Sequence, residues 1–178
     1  MKSNWLLLLS LPAFLFLSCN HVAQFHEPIE SLAKQWENVS PELQALKEQI
    51  AADLDQATSL QEQITATKPE DIPANRKSIA ETLRSDAEQL VAQLSALQEE
   101  ITTDFTECDE QLTMLKQGLA EGQLPGDVEE TTALLYRKIA AVQGRLVYWK
   151  GTMSSHEGTI RQLTESLRAL TAAPAATN

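Results

Sequence analysis

Apolar residues recur at alternating intervals of three and four along nearly the whole chain. In its last third, Leu135, Ile139, Val142, Leu146, Trp149, Met153, His156, Ile160, Leu163, Leu167 and Leu170 keep an unbroken heptad rhythm. Such spacing places one stripe of side chains along a single face of an α-helix. The first third repeats it through Ile29, Leu32, Trp36, Val39, Leu43, Leu46 and Ile50, then more loosely through Leu54, Ala57, Leu60 and Ile64. In the middle, Leu83, Ala87, Leu90, Leu94, Leu97, Ile101, Phe105, Cys108, Leu112, Leu115 and Leu119 hold the rhythm except for two successive steps of four around Ile101. That irregularity resembles a stutter, at which a supercoil locally unwinds. The pattern predicts an all-α chain of three long amphipathic helices, over about 29–67, 72–121 and 128–171.

Breaks between the stripes carry their own signals. Thr67 to Pro73 contains two prolines, which cannot continue a helix, and Asp71 is placed to cap the second helix. Gly122 suits a left-handed helix stop and Pro125-Gly126 a turn, while Asp127 with Glu130 forms a capping-box-like start. Connections this short favour antiparallel neighbours, hence an up-down-up three-helix bundle over residues 29–171. Pro41 falls inside the first stripe without disturbing its phase, which predicts a kink or a near-collinear restart rather than a domain boundary. Residues 172–178 are expected to be a disordered tail.

Charge gives a separate handle on pairing. Residues 85–115 hold eight acids and no base, whereas residues 135–170 hold six bases against Glu157 and Glu165. Folding these two helices back about Leu124 brings Arg161 near Asp86 and Glu88, Lys150 near Glu99, Arg145 near Asp104 and Lys138 near Glu110. Each exposed pair contributes about 0–1 kcal/mol, so the charges select orientation while the apolar stripes supply the cohesion.

Composition narrows the partners. A net charge of −11 argues against nucleic acid and against direct adhesion to anionic headgroups. No Gly-rich phosphate loop, nucleophile elbow, His-Glu-x-x-His or cysteine pair occurs, so the chain is read as non-enzymatic, with no cofactor and no metal.

The N-terminus explains one of the two cysteines. Lys2 precedes an apolar run from Trp5 to Leu17, and Phe16-Leu17-Ser18 leads into Cys19. The segment resembles a bacterial lipoprotein signal, in which residues 1–18 are removed and Cys19 becomes the lipidated, palmitate-bearing N-terminus. The competing readings are an ordinary secretory peptide or an N-terminal membrane anchor, but the run falls short of the ~20 residues a span needs and contains Pro12. Residues 19–28 then form a tether, and Asn20 in place of Asp implies, by the same resemblance, sorting to the outer membrane. The first helix would run away from the bilayer, placing the Lys68–Pro73 loop distally. The other cysteine, Cys108, lies on the apolar stripe and is expected as a buried thiol; an intermolecular disulfide is the alternative.

Candidate sites are few. His156 occupies a core position with Glu157 beside it and is expected to form a buried polar layer rather than a metal or ligand site. Trp36, Phe105 and Trp149 lie on the stripes and could share one layer. Gly144, Gly151 and Gly158 recur every seven residues opposite the core, making a smooth strip against which a partner helix or a second copy could dock. The expected function is a spacer, adaptor or assembly factor, held to the membrane through its lipid and meeting an envelope protein of unspecified identity. The alternatives are a periplasmic chaperone-like or ligand-binding helical module, and a homo-oligomeric structural coiled coil.

Overall fold

The structure is a computed structural model that describes residues 22–68, 70 and 72–172. The signal segment 1–18, Cys19, Asn20, His21, Asp71 with its expected capping role, and the tail beyond Ala172 lie outside the described residues. Among the described residues the chain is an all-α helical bundle: α1 (His26–Ala66), a short 3-10 turn (Ala74–Arg76), α2 (Lys77–Glu121) and α3 (Val128–Thr171), with no strand.

α1 begins three residues earlier than the sequence pattern suggested, inside the expected tether. Ile29 N–H donates to the carbonyl of Phe25, whose side chain is buried. Pro28 is accommodated because a residue in the first turn has no intrahelical acceptor for its N–H. Further along, α1 runs unbroken through Pro41. There the helix forgoes the bond to the carbonyl of Glu37, since proline has no N–H to donate.

α2 starts five residues later than the predicted position 72. Pro73 adopts an extended backbone, φ −53° and ψ 140°, and Ile72 is buried ahead of it. Burying Ile72 takes precedence over early helix propagation, leaving only a 3-10 turn before Lys77. At the other end α2 stops as the sequence predicts. Gly122 has φ 69°, Gln123 N–H donates to Gly118 O at 2.8 Å and Gly122 N–H to Leu119 O at 3.3 Å, the bond pair of a Schellman cap. At the start of α3, Thr131 N–H donates to the carbonyl of Asp127, which makes Asp127 the residue before the first turn.

The described chain divides into two compact units, each taking part of all three helices. One comprises residues 22–41 and 104–144, the other residues 42–103 and 145–172; the division in α1 falls immediately after Pro41.

In the first unit Ile29, Leu32, Trp36 and Val39 of α1 are buried with Cys108, Leu112 and Leu115 of α2 and Leu135, Ile139 and Val142 of α3. The stripe of α2 departs here from its predicted course. Asp104 is buried and Phe105 only half-buried, while Gly118 is buried and Leu119 half-buried. Inward positions thus step through 101, 104, 108 and 112, so the two successive steps of four fall around Cys108 instead of Ile101, and a carboxylate lies inside. Lys138 compensates it, pairing with Asp104 at 3.8 Å and with Glu107.

In the second unit, every α3 position of the predicted stripe from Leu146 to Leu170 is buried, facing Leu43 to Ile64 of α1 and Ala80 to Ile101 of α2. The one loose stretch lies between Ile50 and Ala57, where Asp53 and Leu54 are both half-buried. Charged contacts differ from expectation by about one helical turn or by partner. Arg145 pairs with Glu100 at 3.0 Å, and Lys150 reaches across to Glu42 of α1 at 2.6 Å instead of Glu99. These pairs sit substantially in solvent and contribute little, whereas each buried Leu or Ile contributes roughly 1.5–3 kcal/mol.

Two arginines near the start of α2 close the ends of their neighbours. Arg84 Nη2 donates to Thr67 O at 2.9 Å, just beyond α1, whose last turn contains no basic residue of its own. Arg76 Nη1 donates to the carbonyls of Ala169, Leu170 and Ala172 at 3.0, 3.4 and 3.3 Å. A guanidinium there both satisfies carbonyls that lack intrahelical donors and opposes the negative end of the helix dipole.

Candidate functional site

His156 is the polar residue most deeply set in the second unit, 9% exposed, because the step from Met153 to Ile160 turns it inward. Opposite it, α1 supplies Asp53. The Oδ2 atom of Asp53 is buried without a hydrogen-bond partner, and burial pushes the carboxyl above its ordinary range, with Glu157 adding to the rise and His156 opposing it. Burial likewise pushes the His156 imidazole below its usual value, against the pull of the Asp53 charge. Glu157 itself accepts a 2.5 Å bond from Gln49 Nε2. His156 is thus buried, with Asp53 and Glu157 the charged groups around it.

α2 contributes no base to this cluster. Gln93, Ala96, Leu97 and Glu100 of α2 line, with Tyr148, Thr152 and His156, a shallow groove of about 380 Å³. No group of three or more His, Cys, Asp or Glu residues among the described residues is placed to hold a metal ion.

The aromatic residues separate between the units. Trp36 and Phe105 meet in the first, with ring centroids 5.4 Å apart at 51°, and the Trp36 indole N–H donates to Asp109 Oδ1 at 3.0 Å. Trp149 belongs to the second unit. It is fully buried under the Arg145 guanidinium, 5.0 Å from the ring centroid, and its indole N–H has no hydrogen-bond partner. Cys108 is a fully buried thiol. An intermolecular disulfide would require this part of the seam to open.

At Gly144 in the first unit, and at Gly151 and Gly158 in the second, an added Cβ would meet nothing within 4 Å. Contacts within the chain therefore do not require glycine at these positions. The glycine that packing does require is Gly118, where a Cβ would lie 2.8 Å from the backbone oxygen of Gln123. Beside Gly151, Val147 and Tyr148 are 80% and 68% exposed. Sequence reasoning passed over this pair, although two large apolar residues between core positions Leu146 and Trp149 were the available signal.

A second groove, of about 600 Å³, opens in the first unit between the start of α1 and the first turns of α3. No helix of the described residues is long and apolar enough to cross a membrane. No protein-family model, curated protein or solved structure matches the chain.

Proposed function

We propose that this chain is a non-enzymatic bacterial envelope lipoprotein, held to the outer membrane by a lipid on Cys19 and serving as a protein-protein interaction spacer, adaptor or assembly factor. The observation that carries the reading is the closure of the apolar stripes. Residues that could have sheltered foreign apolar material are buried against the chain's own helices, as Leu94, Ile101, Leu135 and Trp149 illustrate. That favours a scaffold over a chaperone-like module, for which an open apolar face is needed.

An up-down-up course of the helices accompanies this reading. In the second unit, Glu42–Lys150 and Gln49–Glu157 are each separated by 108 residues, as two helices running the same way require. The separations of Arg145–Glu100 and Arg76–Ala169, 45 and 93 residues, widen as expected for antiparallel α2 and α3.

Partner contact is assigned to the outer face of α3, where Val147 and Tyr148 adjoin Gly151. Residues 131–156 of that helix contain no acid, although the whole chain carries −11. A homo-oligomer is the second reading, favoured by the same exposed pair, because a second acidic copy would meet no acidic side chain of α3 there.

The test has two arms. Cells expressing the full chain should place it in the membrane fraction with fatty-acid label on Cys19, and Cys19→Ser should lose both. A photoreactive residue at Val147 or Gly151 should then capture a distinct envelope protein. A wild-type chain that is unlabelled and released by osmotic shock ends the anchor reading; capture of only a second copy replaces the adaptor with the oligomer.

A further inference from the structure

The groove in the first unit is walled by Phe25, Pro28 and Leu32 from the start of α1 and by Ala133 and Tyr136 from α3, with Gln24 at its edge. Its volume of about 600 Å³ lies within the range of small-molecule sites. Tyr136, an amphipathic side chain in the lining, is 53% exposed. By contrast, the groove between α2 and α3 in the second unit is bordered by Asp86, Gln89, Gln93 and Gln162. Among the described residues, Glu129 is the only ionisable residue besides Tyr136 that lines the apolar groove, and no cation lines it. A ligand ending in a carboxylate or phosphate would be repelled there. An apolar chain whose end is masked in a covalent linkage would not.

Such a chain has a source close by. Gln24 is five residues from Cys19, a stretch that spans at most about 17 Å, so a group attached to Cys19 can reach the groove. We propose that this groove binds an acyl chain carried on Cys19, folded back from the bilayer onto α1 and α3. The inference rests on the lipoprotein reading. Methylenes leaving the bilayer would lie against the exposed Pro28, Ala133 and Tyr136 and stay partly out of water, which offsets part of the cost of leaving the bilayer. Since stable anchoring takes more than one chain, withdrawing one would loosen the attachment.

The experiment uses the full chain in cells fed a palmitate analogue bearing a diazirine, followed by irradiation and peptide mapping. The expected result is label at Cys19, with crosslinks in peptides carrying Pro28–Leu32 or Ala133–Tyr136. Ala133→Arg or Ser31→Arg, at two exposed groove positions on different helices, should lower those crosslinks several-fold while leaving label and helix content unchanged. Label at Cys19 with photoproducts only on membrane lipid overturns the groove and leaves the anchor standing. Groove crosslinks that persist in both arginine variants also overturn it. Absence of label at Cys19 removes the anchor reading and this inference together.

Discussion

The two units differ in whether a buried carboxylate faces a cation. In the first, Asp104 has Lys138 as its counter-charge at 3.8 Å, although its Oδ2 is buried without a hydrogen-bond partner, and the Trp36 indole donates to Asp109 at 3.0 Å. In the second, the Trp149 indole N–H and the Asp53 Oδ2 are buried without hydrogen-bond partners, beside a histidine in a core position. A matched buried charge specifies register, because any slip strands it. An unmatched layer costs stability and leaves groups whose charge can change. The first unit therefore sets a lysine against its buried carboxylate, and the second sets a histidine against its own, with burial raising the Asp53 carboxyl and lowering the His156 imidazole.

Breaking the match should produce the largest effect. Lys138→Met removes the counter-charge of Asp104 and should cost about 3 kcal/mol in denaturant unfolding, with Asp104→Leu in the same chain restoring much of the loss. If Lys138→Met is neutral, the ion pair specifies nothing. Next is Gly118→Ala, which sets a methyl against the Gln123 carbonyl oxygen and should cost about 1–3 kcal/mol, whereas Gly151→Ala, in open space, should gain about 0.5–1 kcal/mol. Equal effects of the two would refute the assignment of their roles. Trp36→Phe removes the bond to Asp109 while keeping an aromatic ring, and thermal unfolding should show a loss of about 1 kcal/mol.

The smallest effect is the pH response, because its two parts oppose one another. His156 is depressed in the folded state, so the unfolded chain binds its proton more readily and stability is lost as pH falls from about 6.5 through the folded value. Asp53 is raised, so the folded chain holds its proton more tightly and stability is gained as pH falls through that raised value towards 3.8. Asp53→Asn removes the second part and the charge that favours His156 protonation. Unfolding midpoints of this variant should therefore fall more steeply below pH 6.5 than those of the wild type. A profile unchanged in slope would show that the two groups do not interact.

Most of α3 was legible in the order of its residues. All positions of its predicted stripe, including His156, are buried, because a strict heptad leaves a helix one face to hide. The glycine stop at Gly122 was equally legible, since a left-handed residue after a helix has few alternatives to glycine. The choice between Asp104 and Phe105 was not. Local hydropathy favours the phenylalanine, whereas the inward carboxylate meets Lys138, 34 positions along the chain. Charge pairing failed for a related reason. Long exposed side chains gain too little to set register, so they took whichever partner the packed stripes presented, Glu100 for Arg145 and Glu42 for Lys150.

The caps supplied by Arg76 and Arg84 were also invisible, as their partners lie 93 and 17 residues away. So was the apolar groove, whose walls come from the start of α1 and the start of α3, about a hundred residues apart. By itself the sequence determined helix number, the faces that turn inward and the α2 stop, because hydrophobic burial and backbone sterics act over a few neighbouring residues. Only the tertiary structure decided which polar groups are matched, where the helix ends find their donors and which apolar surface stays open. Those outcomes depend on pairs of residues that the chain order keeps apart and packing brings together.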